Sequence, residues 1–151
     1  SMKVRWCTSQ LKANLIHREV KRIKGECEVC HYIGIAADEP KRIKDKQYPL
    51  ADWGITESEA LQICYDRGYD WGGLYETYHR CSCWCCPMQR IGGLRNLRRR
   101  HPELWERLLA MDRRALAQFG NSLPGHFKEN WTVGQLEGRF AAEDAQLSFF
   151  A

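Results

Sequence analysis

Four cysteines lie within six consecutive positions of this chain, at Cys81, Cys83, Cys85 and Cys86, and this cluster is the strongest constraint on what the chain can fold into. A C-x-x-C loop can turn two thiolates to one side, where they bind an ion at about 2.3 Å. Cys83 and Cys86 have this spacing. Since no export signal is visible, we expect the cluster to form half of a thiolate metal or iron–sulfur site rather than disulfides.

The composition is that of an ordinary globular protein. The chain has 151 residues, of which 44% are hydrophobic and 28% charged, and its net charge is +4. We expect a single domain over 1–151, because a chain of this size can bury roughly 68–70% of its unfolded surface. No apolar run has the length of a membrane span, and the thiols favour a reducing compartment, the cytoplasm. The mild positive charge permits an anionic ligand without requiring nucleic acid.

Hydrophobic periodicity and capping signals predict mainly helices, with one short apolar run that favours a buried strand. The fold class expected is α/β, helix-rich with a small sheet. Residues 1–50 form a remnant of an α/β core in this interpretation, 51–120 a helical region with the cysteines, and 121–151 a tail with a short helix. The predicted elements are helices over 8–24, 57–67, 87–100, 102–119 and 133–143, a strand over 31–37, and a loop over 120–131.

Two other cysteine positions compete to complete the site. Cys7 lies before the first predicted helix and the pair Cys27 and Cys30 lies after it. About 17 helical residues at 1.5 Å each separate the helix ends by roughly 25 Å, so the two positions cannot share one ion. We favour Cys7, because the start of a helix lies at the edge of an α/β sheet where ligands bind. The fourth ligand stays open among Cys85, Cys81 and a histidine.

Two basic segments could contact an anion. Lys41, Arg42, Lys44 and Lys46 follow the end of the predicted strand, where anionic ligands of α/β folds bind. The second segment lies on the helix over 87–100, and it is either a solvated face or a patch for a polyanion. Its arginines are Arg95, Arg98, Arg99 and Arg100.

Four blocks of the sequence carry a resemblance to a known family. They are Arg5-Trp6-Cys7-Thr8-Ser9-Gln10-Leu11-Lys12, Gly34-Ile35-Ala36-Ala37-Asp38-Glu39-Pro40-Lys41-Arg42-Ile43, Tyr48-Pro49-Leu50 and Ser82-Cys83-Trp84-Cys85-Cys86-Pro87. In these blocks and their order the chain resembles the C-terminal part of the phosphoadenosine phosphosulfate (PAPS) reductase-like family of the ATP pyrophosphatase superfamily. That family has an adenine nucleotide alpha hydrolase-like fold, in which a Ser-Gly-Gly-Lys-Asp-Ser loop cradles phosphates.

The resemblance implies residue roles. Lys12, Glu39 and Arg42 would contact a nucleotide or sulfonucleotide anion. The metal site would consist of Cys7, Cys83, Cys85 and Cys86, holding an iron–sulfur cluster or zinc. The implied family role is nucleotide-linked sulfur or adenylyl transfer.

The phosphate loop is not in this sequence. We therefore expect no turnover from the chain alone, and an N-terminal half that carries the loop is a possible partner. The alternative is a non-catalytic zinc-binding module that engages nucleic acid or a protein partner through its arginine-rich helix.

Overall fold

The computed structural model describes residues 6–120, 126–128 and 130–149, and most of them are helical. The described residues up to Gly72 form one unit and those from Gly73 onward form a second. The expectation of a helix-rich chain is confirmed. The predicted loop is described only in part, because 121–125 and residue 129 lie outside the described residues.

The first unit begins with a nearly continuous helix. Helix α1 spans Trp6–Thr8, a π-helical turn follows at Ser9–Ala13, and helix α2 spans Asn14–Lys24. The backbone leaves the helix at Gly25, whose φ of 53° is a conformation that glycine adopts without a steric penalty. The predicted helix over 8–24 is therefore confirmed, with a π-helical turn that its periodicity did not indicate.

This helical segment leaves its apolar side chains in solvent. Leu11 is 60% exposed, Leu15 43%, Ile16 57% and Ile23 68%. Soluble monomers rarely expose contiguous apolar patches of this kind without a binding role. The amphipathic pattern thus predicted the helix correctly, but its apolar face is not buried in the structure.

The segment over 31–37 is extended without forming a strand. Tyr32 and Gln47 form an isolated parallel bridge, in which Ile33 N donates to Gln47 O at 2.9 Å and Gln47 N donates to His31 O at 3.3 Å. The predicted strand over 31–37 is wrong for the described residues. A strand depends on a ladder of partners, and the chain supplies only one bridged pair here.

The rest of the first unit is built around a small buried group of Ile35, Ala36 and Tyr48. Ala37 N donates to Ile55 O at 2.8 Å, which joins the extended segment to the loop before the next long helix. The helical elements are a 3-10 turn at Pro40–Arg42, helix α3 at Pro49–Asp52, helix α4 at Glu57–Asp66 and a 3-10 turn at Trp71–Gly73.

Helix α4 has the capping box that the sequence predicted. Glu59 N donates to Thr56 Oγ1 at 3.3 Å, and Thr56 N donates to Glu59 Oε2 at 2.8 Å. Asp38 adds a cap from outside the helix, because its Oδ1 accepts from Glu57 N at 3.0 Å. Three of the polar groups at this helix start are thereby satisfied, and the predicted helix over 57–67 is confirmed to within one residue.

The second unit consists of a short helix and three longer ones. The elements are α5 at Leu74–Thr77, α6 at Ile91–Arg100, α7 at Pro102–Phe119 and α8 at Val133–Phe149. The prediction for α7 is confirmed. Helix α8 extends beyond the predicted 133–143, and α6 begins at Ile91 rather than at Pro87 because 83–89 form turns instead.

Helices α6, α7 and α8 enclose the core of the second unit. Phe140 and Trp105 meet with ring centroids 5.8 Å apart, and Leu94 and Leu136 are fully buried beside them. Truncating a buried side chain in such a core typically costs about 2–5 kcal/mol. The buried cluster comprises Leu94, Leu97, Trp105, Leu108, Leu109, Val133, Leu136 and Phe140.

One carboxylate on α8 bonds to both other long helices. Arg98 on α6 donates through Nε and Nη2 to the two oxygens of Glu137, each at 2.8 Å, and Trp105 Nε1 on α7 donates to Glu137 Oε2 at 2.5 Å. Arg98 also donates to Asp144 at 2.5 Å. The hydrogen bonds from Arg98, with those from Trp105, hold the pKa of Glu137 below its usual value, although burial opposes this. The three helices are thereby joined by a half-buried ionic network.

We predict that Glu137→Gln destabilises the second unit by about 1–3 kcal/mol at neutral pH, because Arg98 keeps its charge but loses one of its two carboxylate partners. Urea denaturation followed by far-UV circular dichroism measures the change. Glu106→Gln is the matched control, since Glu106 is an exposed glutamate on α7. Equal stability of the two variants would contradict the role given to Glu137.

The lowered pKa of Glu137 determines how the stability of the second unit changes with pH. A carboxyl group with a lowered pKa stabilises the folded state fully above its unfolded value, here 4.5, and the contribution is lost as the pH falls through the lowered pKa. The stability difference between the wild type and Glu137→Gln should therefore shrink as the pH falls below that value. A difference that stays constant down to acid denaturation would show that the carboxylate charge is not the cause.

Candidate metal centre

The cysteine cluster forms a tight turn in front of α6. Cys86 N donates to Cys83 O at 3.0 Å, and Gln89 N donates to Cys86 O at 3.2 Å. A bond between residues i and i+3 defines a β-turn, so the chain reverses between the two cysteines of the C-x-x-C pair. Two thiols at the ends of such a turn can serve as neighbouring ligands of one ion.

The side chain of Gln89 holds this turn through two further hydrogen bonds. Its Nε2 donates to Cys83 O at 2.9 Å and to Trp84 O at 2.8 Å. The next residue in the turn is also anchored, because Trp84 packs against the buried core and Arg107 on α7 lies over its ring at 5.3 Å. The turn is thus attached to the helical core both through its backbone and through the tryptophan between its cysteines.

The predicted ligands differ in exposure and in location. Cys83 is exposed, and Cys85 and Cys86 are half-buried, within the second unit. Cys7 is exposed on α1, within the first unit. In the described part of the chain, no three His, Cys, Asp or Glu side chains converge to hold a metal ion. The chemistry of the turn suits a thiophilic metal, but the turn offers one pair of ligands rather than a full set.

The second C-x-x-C pair lies in the loop after α2. Cys27 and Cys30 are both exposed. A hydrogen bond between the side chains of Tyr32 and Cys30 raises the pKa of Tyr32. Cys27 N donates to Lys24 O at 2.9 Å, which closes the end of the helix. Cys27 and Cys30 lie in the first unit, as Cys7 does.

The residues predicted to contact an anion lie on two elements of the first unit. Glu39 precedes the 3-10 turn and Arg42 is its last residue, and Arg42 Nη1 contacts Glu39 Oε1 at 2.5 Å. Lys12 is exposed on the π-helical turn. The structure brings Glu39 and Arg42 together as an ion pair, so an anion at Arg42 must compete with the Glu39 carboxylate. Asp38, next to them, serves as a cap for α4.

The arginines of α6 are largely engaged with acidic residues of α8. Arg95 contacts Glu143 at 2.8 Å, and Arg99 contacts Asp144 at 2.5 Å. With the bonds of Arg98 to Glu137 and Asp144, three of the four arginines in the predicted basic segment have carboxylate partners. These ion pairs place the arginine-rich face against α8 and partly neutralise its charge.

Two contributors to this region were not found by sequence reasoning. Gln89 holds the turn by hydrogen bonds, but a glutamine three positions after a cysteine has no distinctive pattern. Arg107 is 23 positions from Trp84, and no local periodicity connects them. Both contacts depend on how the cysteine turn meets the helices, which is a tertiary property.

We predict that Gln89→Ala loosens the cysteine turn, because two hydrogen bonds to its backbone carbonyls are lost at about 1 kcal/mol each. Amide hydrogen exchange of Cys86 should accelerate by about tenfold or more. Gln62→Ala is the control, since Gln62 is an exposed glutamine bonded to Asp66 on α4. Unchanged exchange at Cys86 would show that Gln89 does not hold the turn.

Comparison with known proteins adds no further assignment. The chain matches no protein-family model, no curated protein and no solved structure. Within the described residues, no helix combines the length and apolar character needed to cross a membrane. The motifs and the geometry of the cysteine turn are therefore the basis for a functional proposal.

Proposed function

We propose that this chain is a PAPS reductase-like protein, whose role is nucleotide-linked sulfur or adenylyl transfer with a cysteine-ligated metal site. The observation that carries the proposal is the Cys83–Cys86 turn, which is attached to the helical core through Gln89 and Trp84. A rigid turn presents its two thiols at a fixed separation, as a metal site requires. The expected compartment is the cytoplasm, where thiols stay reduced.

The proposed ligands are Cys83 and Cys86, with Cys85 beside them in the same unit. Thiolates select zinc and iron–sulfur clusters over harder ions. A bound zinc would supply structural stability or Lewis acidity, and a cluster would supply electron-accepting capacity. Within this chain, the turn orients the thiolates, and the packing of Trp84 shields one side of the turn from water.

The proposal includes an α/β fold of the adenine nucleotide alpha hydrolase type. Its support is the parallel bridge between Tyr32 and Gln47, since parallel pairing requires a crossover connection and is typical of α/β folds. The nucleotide or sulfonucleotide would contact Lys12, Glu39 and Arg42. Arg42 supplies the cation, and Glu39 fixes its position through the ion pair.

A partner that carries the phosphate loop is part of the same proposal. The exposed apolar face of α2 and the preceding turn supports it, because Leu11, Leu15, Ile16 and Ile23 lie in solvent in this chain. Covering such side chains stabilises a complex by about 25 cal/mol per Å² of apolar surface.

Metal content tests the cysteine site. We predict that the chain purified anaerobically binds zinc, or an iron–sulfur cluster that gives a brown preparation absorbing in the visible region. Cys83→Ser and Cys86→Ser should each remove most of the bound metal, because an alcohol replaces a thiolate ligand. Cys64→Ser is the matched control, as Cys64 is a half-buried cysteine on α4. Retention of metal by the two turn variants would refute the site.

Co-purification tests whether the chain has a partner that carries the phosphate loop. We predict that the tagged chain co-purifies with a nucleotide-binding polypeptide that carries a Ser-Gly-Gly-Lys-Asp-Ser loop. Ile16→Glu should abolish this association because it places a charge on the apolar face, whereas Arg18→Glu, on an exposed position of the same helix, should preserve it. Equal capture of the polypeptide by both variants would exclude the apolar face as the docking surface.

The alternative function, a zinc module that binds nucleic acid through α6, receives less support from the geometry. Phosphate contacts require available cations. Arg95, Arg98 and Arg99 are bonded to carboxylates of α8, so a polyanion would have to displace four ion pairs. The arginine-rich pattern is accounted for by packing between two helices of the second unit.

A further inference from the structure

The second unit contains a cavity of about 190 Å³ beside the cysteine turn. Cavities of about 150 Å³ in apolar protein interiors accept a benzene ring, so this one has room for a single ring with a small substituent. Leucines and a tryptophan dominate its wall, and several polar side chains interrupt it. The lining residues are Leu74, Tyr78, Arg80, Cys81, Ser82, Trp84, Gln89, Leu97, His101 and Leu104.

The hydroxyl group of Tyr78 provides this cavity with a hydrogen-bond donor. It is buried, and within the described residues it has no hydrogen-bond partner. Leaving a buried hydroxyl unsatisfied costs about 1–3 kcal/mol, so native proteins rarely retain one without a partner. Burial raises the pKa of Tyr78, and the phenol therefore stays protonated at neutral pH and able to donate.

The polar part of the wall favours negative charge. Arg80 lines the same cavity, and the positive charge of Arg100 acts on Tyr78 from α6. The same wall therefore combines a buried hydroxyl, a cationic side chain and apolar side chains.

We propose that this cavity binds a small carboxylate with a single-ring apolar body, whose carboxylate accepts a hydrogen bond from Tyr78 Oη. The ring fills the space between Leu74, Leu97 and Leu104, and Arg80 complements the charge. A ring without a carboxylate leaves the hydroxyl unsatisfied, and a carboxylate without a ring leaves the apolar space empty. The cavity shares Trp84 and Gln89 with the support of the cysteine turn, but the proposal does not rest on the sulfur or adenylyl transfer proposed above.

Calorimetric titration of the full chain with benzoate tests the proposal, with acetate and toluene as comparison ligands. Benzoate should bind saturably and at least about tenfold more tightly than either comparison ligand. Tyr78→Phe should weaken benzoate binding at least about tenfold, because it removes only the donor. Tyr69→Phe, at an exposed tyrosine of the first unit, should leave the affinity unchanged.

A structural role for Tyr78 predicts different results. Under the proposal, the ligand-free Tyr78→Phe chain is at least as stable as the wild type in urea, since no group loses a partner. Leu104→Phe, which narrows the cavity, should weaken benzoate without removing the hydroxyl. The proposal is overturned if benzoate does not saturate, if Tyr78→Phe binds it as tightly as the wild type, or if acetate binds equally well.

Discussion

The contact of the Glu137 carboxylate with Arg98 and Trp105 is the interaction on which the second unit depends. It is the place where α6, α7 and α8 meet through a single carboxylate. A bidentate arginine pair is directional, so it fixes the rotation of α6 against α8 as well as their separation. The apolar core supplies most of the free energy of folding, and the ionic network selects which faces of the helices pack together.

The position of the cysteine turn follows from that arrangement. Trp84 packs against the same core, and Arg107 on α7 covers its ring. Asp112 on α7 accepts hydrogen bonds from Val133 N at 3.0 Å and Gly134 N at 3.2 Å, which anchors the start of α8. The helices therefore form one platform, and the turn between Cys83 and Cys86 is attached to it rather than freely exposed.

Sequence reasoning succeeded where the determinants of structure are local. The capping box at Thr56 and the glycine after α7 involve residues within four positions of the helix ends that they define, and those helix ends were predicted. The strand over 31–37 failed because pairing is non-local. Pro87 was expected to open a helix, but it lies in the turns that Gln89 stabilises, so α6 begins later.

The candidate site, like the fold, was predictable only where its determinants are local in the sequence. The spacing of Cys83 and Cys86 indicated a turn with paired thiols, and the turn is present. The support from Gln89 and Arg107 was not predictable, and neither was the buried hydroxyl of Tyr78, because each depends on packing between distant segments. The pairing of Glu39 with Arg42 spans only three positions, yet the sequence could not indicate whether they bind each other or a ligand.

The arginines of α6 show why charge in a sequence is a weak guide to partners. As a run, Arg98, Arg99 and Arg100 resemble a surface for nucleic acid, and the net charge of +4 permits that interpretation. The carboxylate partners of Arg98 and Arg99 lie about forty or more positions away on α8, where no window of the sequence would associate them. Once the helices pack, most of this charge is compensated within the unit. The positive charge that remains for ligands must then come from single cations outside this network, such as Arg80, and a single cation favours small anions over polyanions.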